Sequence, residues 1–160
     1  MQIYRKQVVG ATVGLIALAA LVPAAYASPA TGLTPTTLAT ASLASPVNIH
    51  NGGVKLRTRV ATDVRVQQIV FAPNSTSGWH HHPGMVMVVV ASGSVTVWNK
   101  HCKATTYGVG LPAGAAFVEA GNEPNLVTST DGATNYVTYV VPKVDPAVFR
   151  IEDDAPYCAS

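Results

Sequence analysis

Between Val54 and Val141 the apolar residues come in short runs, mostly at every second position, stopped by Gly, Pro, Asn and Asp. Alternate side chains of an extended chain share a face, so such runs read as strands with one buried face. Val54 to Val60 alternates with Lys55, Arg57 and Arg59, which form the wet face of a strand. Val64 to Phe71 alternates as well, and Pro73 to Gly78 is a turn-forming cluster. Met85 to Val90 is apolar without a break, the pattern of a strand buried on both faces. Ala91-Ser92-Gly93-Ser94 has hairpin-turn chemistry, which makes Val95 to Trp98 the returning partner. Ala115 to Glu119, Leu126 to Thr130 and Tyr136 to Val141 complete the series, with Asp131-Gly132-Ala133 dividing the last two. No window beyond the N-terminal segment has a helical period. Many short strands between Gly and Pro turns predict an all-β sandwich or barrel. Residues 47-160 are one domain's worth of chain.

What precedes that domain reads differently. Arg5 and Lys6 lead an uncharged Ala-, Val- and Leu-rich stretch from Val8 to Val22, and Ala25-Tyr26-Ala27 is an A-x-A cleavage pattern. Residues 1-27 therefore read as a secretory signal peptide, and the protein as secreted or held in the cell envelope. The rival is a retained anchor, but Pro23, two glycines and many alanines make the stretch weakly hydrophobic, so no stable membrane insertion is expected after cleavage. Residues 28-46 are Ser, Thr, Ala and Pro with an occasional Leu, and read as a disordered leader. Without Arg5 and Lys6 the chain's ten basic residues become eight, matching its eight acidic ones. A near-neutral chain with no clustered basic surface gives no ground for nucleic-acid binding.

The cysteines are Cys102 and Cys158. An even count in an exported chain favours a disulfide between them. A loop of that length is worth about 4 kcal/mol in the chain-entropy account. Two thiols or two metal ligands are the alternatives, and neither cysteine has a second close in sequence.

The chemistry concentrates at Gly78-Trp79-His80-His81-His82-Pro83-Gly84. In a strand His80 and His82 share a face, about 7 Å apart along the backbone, and His81 takes the other. Two imidazoles on one face can grip one metal ion.

At these residues the chain resembles the cupin family, small jelly-roll β-barrels. The first cupin motif places a Glu and then a Gly at set distances after H-x-H. Here His80 and His82 are followed at that spacing by Val86 in the Glu position and by Gly93, with Asn74 at the opening Gly position. The second motif begins at Gly114, and its Pro, Gly, His and Asn positions carry Ala120, Asn122, Asn125 and Ser129. The resemblance covers about Val54 to Pro142. Gly-Trp-His-x-His-Pro-Gly, with Phe117-Val118-Glu119, is similar to a subgroup of exported bacterial cupins in which the first-motif Glu is often apolar.

The resemblance implies a single small jelly-roll barrel and a metal held inside it by three His and one Glu. His80 and His82 keep two of those positions. Asn125 offers a neutral amide oxygen, and Glu119 is the substitute carboxylate if it turns inward. A two-His-one-carboxylate set suits Fe, Mn or another divalent transition metal, Ni, Cu and Zn included. Trp79, Val86 and Met87 are the expected pocket walls for a small molecule. The competing reading is a metal-free module that binds a small ligand or serves the envelope structurally, because Val86 and Asn125 both remove ligands. A homodimer through an edge strand is a further expectation from the family. No nucleophile elbow, P-loop or dinucleotide fingerprint is present, and no reaction is assigned.

Overall fold

In the computed structural model, which describes residues 28–155, every regular element is a strand. The predicted signal peptide and Cys158 lie outside the described residues. The strands are β1 (Thr31–Leu43), β2 (Asn48–Asn51), β3 (Val54–Arg57), β4 (Thr62–Thr76), β5 (His80–His81) and β6 (Met85–Asn99). They continue as β7 (Ala104–Gly108), β8 (Ala116–Glu119), β9 (Asn125–Ser129), β10 (Ala133–Pro142) and β11 (Ile151–Glu152).

A ring of antiparallel pairs closes the barrel. β4 pairs with β10, β10 with β6, β6 with β9, and β9 returns to the end of β4 at Ser75 and Thr76. β1 lies outside β4, β7 and β8 lie against β6, and β5 joins β9 to β11. β2 and β3 form a separate hairpin around Gly52-Gly53.

The alternation read from the sequence sets what faces inward. On β10, Ala133, Asn135, Val137, Tyr139 and Val141 are buried. They meet Val86, Val88 and Val90 of β6, with Phe71, Phe117 and Val127 completing the core. Burying side chains of this size stabilises by about 1.5–3 kcal/mol each.

Five sequence expectations are corrected. Residues 28-46 are not a loose leader: β1 runs antiparallel to β4 from Leu33 opposite Phe71 to Leu43 opposite Thr62. Almost every β1 side chain is exposed, so composition carried no burial signal. The strand is held by the backbone ladder to the open edge of β4, by Leu33 packed on the core and by Ser42 donating to Asp63 at 2.6 Å. β6 has no hairpin at Ala91 to Ser94. It is one long strand with a bulge, its register against β10 shifting between Val90 and Ser92. That extra residue moves the buried face from Val86, Val88 and Val90 to Val95, and lets one strand serve both sides of the barrel. Gly93 sits there at φ 69°, and a Cβ on it would collide with the Gly132 carbonyl.

Met85 to Val90 is buried on one face only: Met87 and Val89 point outward. Finally, β3 stops at Arg57, short of Val60, and β4 continues through Pro73 to Thr76, bending at Asn74 with φ 56°.

Candidate metal centre

β5 follows the left-handed turn at Gly78, and the period-two rule then divides the three histidines. His80 and His82 are buried, with ring centroids 4.9 Å apart. His81 points the other way and its Nδ1 pairs with the Asp153 carboxylate at 2.8 and 2.9 Å.

Glu119 ends β8, where Phe117 and Glu119 take the inward positions. It turns into the barrel, and its Oε2 lies 3.0 Å from His82 Nε2. Its direct partner across the β6–β8 ladder is Val86. The first-motif Glu position and the inward carboxylate are thus neighbours on adjacent strands, so the carboxylate reaches the barrel interior from β8 instead of β6. His80, His82 and Glu119 each offer one ligand atom, all within 4.8 Å of one another.

The hydrogen bonds prepare these rings. A backbone carbonyl only accepts, so His82 Nδ1 donates to Phe149 O at 2.5 Å and His80 Nδ1 donates to Gly78 O at 2.9 Å. Both Nε2 atoms are then the ones left for the interior. Burial, with the Arg150 charge as the second cause, lowers His80 to about 4, which keeps this imidazole neutral at neutral pH. Metal-binding histidines need this arrangement: one nitrogen bare, the other held by a carbonyl. Two imidazoles and a carboxylate suit divalent Fe, Mn, Co, Ni, Cu or Zn. The residues present therefore fit a divalent transition metal.

A chamber of about 50 Å³ lies against the three residues, and its wall includes Asn135, Tyr139 and Arg150. Asn135 is 2% exposed, and its Oδ1 has no partner among the described residues. A buried orphan acceptor facing a chamber is satisfied by whatever donor enters it. Tyr139 stacks edge-on against His82 at 5.4 Å. Burial first, and Glu119 second, raise its phenol to about 12, so it stays a neutral O–H. Arg150 donates to Ser77 O at 2.6 Å and grips both Glu152 oxygens at 2.6 and 2.8 Å. That hydrogen-bonded grip holds the Glu152 carboxyl below the usual range.

The other sequence candidates are not part of this chamber. Asn125 is buried at the start of β9, donates weakly to Glu123 O at 3.4 Å, and is not on the chamber wall. Trp79 shares the parity of His81 and is buried away from the chamber. Val86 is wholly buried core beside Glu119. Met87 is 42% exposed on the outer face, which corrects its placement as a pocket wall. Asn135, Tyr139 and Arg150 were not recognised in the sequence. For Asn135 a signal existed: it is the one amide at the inward parity of β10, between Ala133 and Val137. Arg150 had none, since it arrives from a segment with no strand pattern.

No family model matches the chain, and no curated protein matches it in sequence. Solved structures do. The polyketide cyclase RemF from Streptomyces resistomycificus superimposes with a TM-score of 0.50 at 16% identity, over 81% of this chain and 80% of that one. A cupin 2 conserved barrel domain protein from Leptotrichia buccalis gives 0.47 at 15% identity, over 69% and 41%. A cupin-like protein from Thermotoga maritima gives 0.45 at 18% identity, over 57% and 65%. The chain thus spans less than half of the Leptotrichia protein. Identities this low speak to fold alone. With the closed antiparallel ring and the H-x-H histidines on its inner face, the chain has the fold of a single small cupin-type jelly-roll barrel.

Proposed function

We propose that this is an exported cupin-fold protein that binds one divalent transition metal inside the barrel, through His80 Nε2, His82 Nε2 and Glu119, and acts on or senses a small molecule there. The observation that carries the reading is the donor set: three buried ligand atoms within 4.8 Å, with both Nδ1 atoms committed to backbone carbonyls. A bound metal with open positions supplies Lewis-acid polarisation or a site for oxygen chemistry. The chain's own residues define the surroundings. Tyr139 offers a neutral O–H, Asn135 an unpaired acceptor, and Phe71, Val88 and Phe117 keep the chamber dry. No reaction is assigned.

The test is elemental analysis of the mature chain without a histidine tag. Near-stoichiometric metal, lost in His82→Ala, supports the reading; equal metal in both proteins sinks it. One observation favours a second reading. His82 Nε2 and Glu119 Oε2 are already at hydrogen-bond distance, 3.0 Å, so the pair can close directly as a metal-free binding pocket. Absence of metal after incubation with Mn, Fe, Ni, Cu and Zn salts selects that reading.

Export and the Cys102–Cys158 disulfide belong to the same proposal. Both rest on the sequence, since residues 1–27 and Cys158 lie outside the described residues. The N-terminus of secreted protein, expected at Ser28, and a mass shift on reduction and alkylation check them. The oligomeric state, with a homodimer expected from the family, is read by light scattering.

A further inference from the structure

The chamber at the three candidate ligands, at about 50 Å³, has room for little beyond an ion and its water. A second chamber of about 310 Å³ adjoins it, and this is the size at which small-ligand sites begin. Leu33, Ile69, Tyr139 and Arg150 line both, so the two are consecutive compartments. Leu33 and Pro35 of β1 form one side of the larger one.

The outer chamber's charge is one-sided. Its wall carries Arg65 and Arg150, the Tyr139 ring and Gln67, and no carboxylate. Arg150 is already matched by Glu152. Arg65 is not: it has no ion-pair partner among the described residues, and its buried Nε has no hydrogen-bond acceptor. The guanidinium sits over Phe149, its carbon 3.6 Å from the ring centroid, which anchors it on the chamber wall. A half-buried guanidinium with no ion-pair partner among the described residues and a ring beneath it is built to take an anion from the chamber. The remaining walls, Leu33, Pro35 and Ile69, are apolar.

We propose that the outer chamber binds a small organic acid, its carboxylate on Arg65 and its apolar body against Leu33, Pro35 and Ile69. The chemistry names a monocarboxylate with a compact apolar body, and its free end faces the inner chamber. This deepens the metal-centre reading and rests on it only for what happens at that free end; carboxylate binding itself does not require the metal. Phe149 joins the two compartments, since its ring lies under Arg65 and its carbonyl accepts from His82 Nδ1.

The test is titration of the full mature protein with benzoate and with benzamide, its neutral isostere, followed by NMR on the Arg Nε–H and His ring signals. Benzoate is expected to bind at least tenfold tighter than benzamide, shifting the Arg65 Nε–H signal. Arg65→Gln is expected to erase that preference. Gln67→Glu sets a competing carboxylate on the same wall and decides the matter if Arg65→Gln does not fold; it too should cost benzoate at least tenfold. Equal binding of the two probes, no binding of either, or full benzoate affinity in these variants overturns the assignment. His82→Ala separates the two readings. Benzoate binding that survives there supports the Arg65 site even if the protein holds no metal. Benzoate binding that vanishes there while Arg65 is intact places the carboxylate at the inner chamber and overturns the proposal.

Discussion

Glu119→Gln isolates the role of the inward carboxylate. The two side chains have the same shape, so the change opens no cavity at this 7% exposed position. In the metal-free protein the new amide can donate to His82 Nε2, which lies 3.0 Å from the present oxygen. That donor meets the bare Nε2, and metal-free stability should move by no more than about 1 kcal/mol. With metal the outcome differs, because an anionic ligand becomes a neutral amide. Take a ~100-fold loss of affinity, about 2.7 kcal/mol. At metal 100 times above the wild-type Kd, binding stabilises the wild type by about 2.7 kcal/mol; the variant, now at its own Kd, keeps about 0.4. For a domain of this size, 1 kcal/mol is worth about 4 °C. The metal-induced rise in Tm should therefore fall from about 10 °C to about 2 °C. Differential scanning calorimetry with chelator and with excess Mn, Fe or Zn reads both numbers. An undiminished metal-induced shift in the variant would refute Glu119 as a ligand. No shift in the wild type would refute the metal centre itself.

Three further outcomes follow from the same structure. Metal-free protein should lose stability as pH falls from about 6.5 towards 4. The folded state holds His80 near 4 while the unfolded chain protonates near 6.5, so stability is complete above the unfolded value and drains by about 3 kcal/mol below it. Urea unfolding at pH 7 and pH 4.5 measures the loss, and His80→Gln should flatten that slope. Gly93→Ala should cost about 2 kcal/mol or more, since it adds a Cβ at φ 69° against the Gly132 carbonyl; a cost below about 0.5 kcal/mol would remove the bulge argument. Starting the chain at residue 47 removes β1 and with it Leu33's packing on the core, and opens the β4 edge, so Tm should drop and aggregation rise. An unchanged Tm would mean that β1 is only a passenger.

Much of the barrel was legible because strand period is a local property. The inward set of β10 follows directly from alternation at Ala133, Val137 and Val141. The histidine parity, with His80 and His82 inside and His81 outside, follows from the same rule. The errors arose where partners, and not periods, decide structure. β1 has almost no buried side chain, so only the edge it pairs with explains it. Ala91 to Ser94 has the composition of a turn, yet pairing with β10 on one side and β7 on the other keeps it, bulge included, within one strand. Met87 is apolar but outward, because no second layer covers that face of the sheet among the described residues.

The sequence alone determined the all-β class and the shared face of the two histidines, since these depend on side-chain alternation and on residues a few positions apart, and the spacing of two motifs carried the resemblance that implied a jelly roll. Tertiary structure alone decided that Glu119 turns inward beside Val86. It also brought Arg150 to the inner wall, aimed both Nε2 atoms at the interior, and walled one side of an Arg65 chamber with β1. The physical reason is distance along the chain. Apart from the hydrogen bond of His80 to Gly78, each of those contacts joins residues dozens of positions apart, and their approach is set by the closure of the barrel, which no local pattern encodes.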